Sequence, residues 1–294
     1  MLAALPIAAL LALQTTPPAL DPRIDAKRIT TLPEPTVATV ADVVRAPSPD
    51  PVLRIAARAE SVPLDAATYA KARAAVERGL AYLAAKQTRR GTWFEAEEVE
   101  PTDMEPRKRA ASVAVTAMAL KAFAQAGEIG DASARGRART AIDAALADAK
   151  VMEMIAGGGI GNYTMSSVAS ALAAVGDVDA KLGAQRAVRW ITENQWDDAE
   201  GVDPTKDWYG GAGYGNGKRP DLSNTQMMLD AMHDTGVSQD DPAMQRALAF
   251  VARTQNRRES NPASWAQSGT GDGGFVYSPA NGGESFASDA AGEG

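Results

Sequence analysis

Arg78-Gly-Leu-Ala-Tyr82-Leu-Ala-Ala-Lys-Gln87 returns twice in the chain, as Arg186-Ala-Val-Arg-Trp190-Ile-Thr-Glu-Asn-Gln195 and as Arg246-Ala-Leu-Ala-Phe250-Val-Ala-Arg-Thr-Gln255. Each copy reads Arg, small, aliphatic, any, aromatic, aliphatic, three variable residues, Gln. Stepping back from the Gln gives Val76, Leu80, Leu83, Gln87, then Ala184, Val188, Ile191, Gln195, then Met244, Leu248, Val251, Gln255. That i, i+4, i+7, i+11 spacing is the apolar stripe of a helix, so each phrase predicts one amphipathic helix with its Gln at the C-terminal end of the buried face.

Between these helices lie segments that are apolar nearly all round. They align when their closing glycines are matched: Ala111 to Gly127, Tyr163 to Gly176 and Ser223 to Gly236. Such helices belong inside, each ended by a glycine that can take the left-handed conformation after the last turn. A degenerate amphipathic helix over Ser133 to Met154, lacking the aromatic and the Gln, fills the long gap between the first two phrases. The expectation is four outer and three inner helices. No inner helix follows the last outer one before Gly294, which suggests that the array is an incomplete copy of a longer one.

Composition narrows the function classes. A net charge of −7 and a pI near 5.0, with no basic stripe, argue against a nucleic-acid partner. The absence of cysteine removes disulfides, thiolate nucleophiles and Cys-containing zinc sites. Residues 1–20 open with an uncharged apolar run too short to span a bilayer and read as a signal peptide, implying export to the periplasm or outside the cell. Residues 21–61 are proline-rich and read as a linker; the repeat region occupies 62–294. Nothing in the sequence supports membrane-surface association. The loop carboxylates from Glu95 to Glu105 are irregularly spaced and read as a solvated acidic surface, and no metal or cofactor is called for.

Arg78-Gly79-x-x-Tyr82-Leu83-x-x-x-Gln87-x-x-x-Gly91-x-Trp93 resembles the QW motif of squalene and oxidosqualene cyclases, shared more loosely by protein prenyltransferase β-subunits. The other copies replace the Gly-x-Trp half with Trp208-Tyr209-Gly210-Gly211 and Asp272-Gly273-Gly274-Phe275. Tyr209-Gly-Gly-Ala-Gly-Tyr214-Gly and Arg219-Pro-Asp-Leu-Ser-Asn-Thr225 look most like bacterial prenyltransferase/squalene-oxidase-repeat proteins. The resemblance implies an all-α (α/α) toroid, with inner helices round an axial cavity and outer helices packed on them. It also implies a structural role for Arg78, Tyr82, Gln87, Trp93, Arg186, Trp190, Gln195, Arg246, Phe250 and Gln255. The Gln amide would satisfy the orphan backbone groups of a neighbouring helix end, and each Arg, one turn before its aromatic, would lie across the ring.

The enzyme readings that the resemblance brings fit poorly. Prenyltransferases hold zinc with Asp, Cys and His, and here there is no Cys and only His233, which reads as a structural residue near a helix end. Cyclases protonate an alkene with the middle aspartate of Asp-x-Asp-Asp-Thr-Ala. The matching stretch is Asp221-Leu-Ser223-Asn224-Thr225-Gln, with Ser where the proton donor belongs; a hydroxyl cannot serve as that acid. Asp221 is the one catalytic candidate, and N-capping is its plainer role. Aromatic residues make up 5% of the chain, too few to line a cation-stabilising cavity.

The sequence therefore favours binding over catalysis. The expected ligand is an apolar small molecule, glycan or peptide in the axial cavity, contacted by Trp208, Tyr209, Tyr214, Asp221, Ser223, Asn224, Asp272, Phe275 and Tyr277. An isoprenoid cyclase or mutase with an unidentified acid is the alternative, and a toroidal polysaccharide lyase using Arg219, Asp221 and Asp272 a third.

Overall fold

The computed structural model describes residues 65–94, 99–215 and 219–283. The expected signal peptide and proline-rich linker lie outside the described residues. Ten α-helices are found among those described: α1 (Ala66–Lys86), α2 (Pro106–Ala126), α3 (Ala132–Ala147), α4 (Ala149–Gly157), α5 (Gly161–Val175), α6 (Val178–Thr192), α7 (Leu222–Asp234), α8 (Pro242–Thr254) and the short α9 (Ser264–Ser268) and α10 (Ala280–Gly283). The described residues contain no β-strand, only two isolated bridges, Gly213 with Pro220 and Gln255 with Phe275. The fold is all-α.

The apolar segments became the middle of the molecule. Helices α2, α5 and α7 pack side by side, with α3 on α2, α6 on α5 and α8 on α7. α5 is enclosed most completely: Met165, Val168, Ala169, Ala171 and Leu172 are buried between its neighbours. α2 is less enclosed than its composition suggests, since Met118 faces solvent. Asp65, Asp131, Asp177, Asp221 and Asp241 each accept a backbone N–H in the first turn of the helix they precede, so the starts of α1, α3, α6, α7 and α8 are set by local chemistry.

The helix expected over Ser133 to Met154 is two helices. Asp148 stands at the break and turns its carboxylate back to the amides of Lys150 (2.9 Å) and Val151 (3.2 Å), which begins a second helix instead of continuing the first. Ile142, Ala145, Leu146, Val151 and Ile155 remain buried across the break.

The three phrases differ in how far they are covered. In the second copy Ala184, Val188, Ile191, Gln195 and the aromatic Trp190 are all buried. In the first copy only Leu80 is, while Val76 is 47% and Tyr82 63% exposed. In the third, Met244 and Phe250 are buried but Leu248 is 44% exposed. The amphipathic pattern is shared, yet burial is complete only where helices flank the copy on both sides.

Candidate functional site

Gln87 Nε2 donates to the carbonyls of Gly91 (3.0 Å) and of Ala134 in the first turn of α3 (2.9 Å). Arg137, one turn further along α3, donates its Nε to Gln87 Oε1 (2.9 Å). Gln195 makes the same set: Nε2 to Gly210 O (2.8 Å) and to Ala243 O in the first turn of α8 (3.0 Å), with Arg246 Nε on its Oε1 (3.1 Å). Each amide thus clamps its own loop to the start of the next outer helix, and an arginine of that helix closes the clamp. The glycine is part of the device. Gly210 has φ +84, and a Cβ there would stand 1.9 Å from the Arg246 carbonyl oxygen; Gly91 stands in the same relation to Arg137.

This arrangement corrects the expected role of Arg246. Its guanidinium does not lie across Phe250, one turn on in its own helix, but serves Gln195 and pairs with Asp197 at 2.9 Å. A carboxylate and an amide oxygen are stronger acceptors for a fork of N–H donors than a ring face. Trp93 is buried; it donates Nε1 to Leu83 O (3.0 Å) and packs against Phe123 on α2, with ring centroids 6.2 Å apart.

A second cluster forms where the N-termini of α5 and α7 meet. Asp221, 1% exposed, caps α7: its Oδ1 accepts from Asn224 N (2.8 Å) and Ser223 Oγ (2.7 Å), and its Oδ2 from Asn224 Nδ2 (2.8 Å). Tyr163, on the first turn of α5, donates its hydroxyl to Ser223 Oγ (2.8 Å). Asn162 ties the two helices by donating to Asn224 O (2.8 Å) and Oδ1 (3.2 Å). Tyr214 packs on Tyr163, with centroids 5.6 Å apart, and its hydroxyl lies 3.3 Å from that of Tyr277. The Tyr277 phenol also hydrogen-bonds with Asp221. Three half-buried phenols therefore surround buried Asp221 and the partly buried Ser223 bonded to it.

The segments that deliver these phenols are fixed by backbone bonds. Tyr214 O accepts from Gly161 N at the start of α5 (3.2 Å), and Tyr277 O accepts from Leu222 N at the start of α7 (2.8 Å). Burial pushes the Tyr163 and Tyr277 phenols well above the ordinary tyrosine range; the Asp221 charge adds to the shift of both, and the Ser223 hydrogen bond partly offsets it at Tyr163. Both stay neutral donors at physiological pH. Asp221 has both oxygens engaged as acceptors, an arrangement suited to holding hydroxyl groups rather than to delivering a proton.

Tyr214, Asp221, Ser223, Asn224 and Tyr277 are thus brought together. Trp208, Tyr209, Asp272 and Phe275 make their contacts elsewhere. Trp208 packs edge-on against buried Trp196 at 4.8 Å, and Tyr209 faces the Arg253 guanidinium, which also holds the carbonyls of Pro204 and Lys206. Asp272 closes its own turn by accepting from Thr270 Oγ1 (2.7 Å) and Gly274 N (2.9 Å), and Phe275 projects to solvent. Asn162 and Tyr163 were not singled out from sequence. The signal was there: Tyr163 and Ser223 each stand thirteen residues before a helix-ending glycine, Gly176 and Gly236. His233 is exposed, 3.8 Å from Asp234, at the opposite end of α7 from the cluster.

Compared with protein-family models, with curated proteins and with solved structures, the chain matches none.

Proposed function

We propose that this chain is a squalene-cyclase-like helical-repeat binding module, an arc of an (α/α) toroid, whose ligand is a neutral polyhydroxylated molecule of the glycan class held at the α5–α7 junction. The observation that carries the reading is the convergence of Tyr163, Tyr214 and Tyr277 on Asp221 and Ser223. Phenol rings offer apolar faces for the C–H surface of a sugar and hydroxyls that donate or accept. A buried carboxylate already bonded to Ser223 and Asn224 keeps those hydroxyls oriented without requiring a cationic ligand. The toroid reading rests on the order of the helices, three inner ones in a row with an outer helix on each. The apolar residues of 1–20 support an exported location.

The test is a titration followed by tyrosine fluorescence and NMR, using neutral oligosaccharides, an isoprenoid and short peptides on the same protein. Saturable binding of an oligosaccharide, weakened about tenfold in Tyr214→Phe by loss of one hydrogen bond, is the expected result. Binding confined to the isoprenoid would overturn the glycan assignment. The cyclase reading has one observation in its favour, the position of Asp221 at the opening of an inner helix. Squalene turnover that vanishes in Asp221→Asn would establish it and end the binding-only reading.

A further inference from the structure

The third clamp is half-made. Gln255 Nε2 donates to Gly273 O (3.1 Å), the counterpart of the Gln87–Gly91 and Gln195–Gly210 bonds, but among the described residues no helix carbonyl reaches its amide and no arginine reaches its Oε1. Gly273 repeats the positive φ of Gly91 and Gly210, at +82, while a Cβ built there would meet nothing nearer than 4.0 Å, where its counterparts would run into a helix backbone. Among the described residues, nothing takes in this clamp the place that Arg137 and Arg246 occupy in the other two.

The opposite end of the molecule carries the missing part. Arg78 holds in its phrase the position that Arg246 holds in the third, first residue and four before the aromatic, although it lies in the middle of α1 and not in the opening turns where α3 and α8 carry Arg137 and Arg246. It is exposed and has no acceptor among the described residues. Beside it Val76, Gly79, Leu80, Tyr82, Leu83 and Ala122 line an apolar depression of about 420 Å³. On the side of the open clamp, Leu248 and Phe275 are exposed apolar residues.

We propose that these two faces bind each other between copies of this chain, head to tail: α1 of one copy seats in the Gln255 clamp of the next, with Arg78 donating to the Gln255 amide oxygen. The recognition is chemically specific because the same chain already makes it twice internally, through Gln87 with α3 and Gln195 with α8. The acidic partner that Arg246 finds in Asp197 is not required, since the Gln87 clamp has Arg89 at that position and still takes Arg137. The interface is heterologous, so assembly proceeds to a closed ring or an open filament.

Analytical ultracentrifugation of the full chain over a broad concentration range tests this. The wild type sediments as oligomers, and Arg78→Ala shifts assembly to higher concentration by about tenfold, the loss of one hydrogen bond to a charged donor. Val76→Glu and Leu248→Glu change exposed side chains on the two faces, and circular dichroism confirms that each variant folds. Each alone abolishes assembly, and an equal mixture of the two forms a dimer and nothing larger, because one unblocked face remains on each partner. A wild-type chain that stays monomeric throughout overturns the proposal, as it would if a further helix of its own chain filled the clamp. So does a mixture that stays monomeric. Assembly lost in Val76→Glu but intact in Leu248→Glu shows instead a two-fold contact through α1, and overturns it equally.

Discussion

Gln195 and Gln255 end the same phrase, yet their side chains hold different amounts of structure. Gln195→Ala removes donors from two buried carbonyls and the acceptor of Arg246, a loss of about 2–4 kcal/mol for a buried three-bond network. Gln255→Ala removes one partly exposed bond and costs about 1 kcal/mol or less in the unassembled chain. Urea unfolding of the two variants side by side checks the ordering; equal costs would mean that the clamp is not what Gln195 contributes. Gly210→Ala destabilises more than Gly273→Ala, because both carry the positive-φ penalty but only Gly210 meets a backbone oxygen. The tyrosines give a pH signature. Tyr163 and Tyr277 ionise above the ordinary value when folded, so the stability they contribute is intact below about pH 10 and is lost as pH rises from there through their folded values. Alkaline unfolding followed by tyrosinate absorbance shows this, and Tyr277→Phe removes part of the dependence.

Among the elements, the inner row is tied at its far end by Asp234 of α7. Partial burial raises its carboxyl, but hydrogen bonds from Lys121 of α2 (2.6 Å) and Ser170 of α5 outweigh that, and the net position is below the usual aspartate range. A depressed folded value means that this contribution is present above about pH 4 and is lost as pH falls through the folded value. Subtracting the acid-unfolding profile of Asp234→Asn from that of the wild type isolates it; a difference independent of pH would show that the tie is packing alone. The inner helices were legible because apolar runs closed by glycine have few other readings, and they formed within a few residues of expectation. The α3–α4 break was harder: Asp148 interrupts an apolar period that continues on both sides, and only its carboxylate competing for the amides of Lys150 and Val151 decides for two helices. The site was legible by half. Asp221 and Ser223 lie at a helix start that the motif marked, whereas Tyr163 comes from another helix sixty residues earlier, and Trp208 and Tyr209 are held by Trp196 and Arg253, contacts that no spacing announces.

Across the whole molecule, stability follows the number of flanking helices. α5 lies between α2 and α7 and carries α6, and nearly every residue from Gly161 to Leu172 is buried; α1 has only Leu80 buried. Local opening is governed by buried contacts, so amides in the middle of α5 exchange with solvent only on global unfolding, while α1 opens separately at much lower free energy. Native-state hydrogen exchange of the dilute chain reads this directly, and α1 amides as slow as those of α5 would refute it. The same experiment at assembling concentrations links the gradient to the open clamp. If α1 of one copy seats on Gln255 of the next, exchange in α1 slows as concentration rises while α5, already limited by global unfolding, changes far less. In Leu248→Glu, where α1 itself is untouched, that slowing disappears, because the protection of α1 comes from the neighbouring copy's clamp and not from its own sequence.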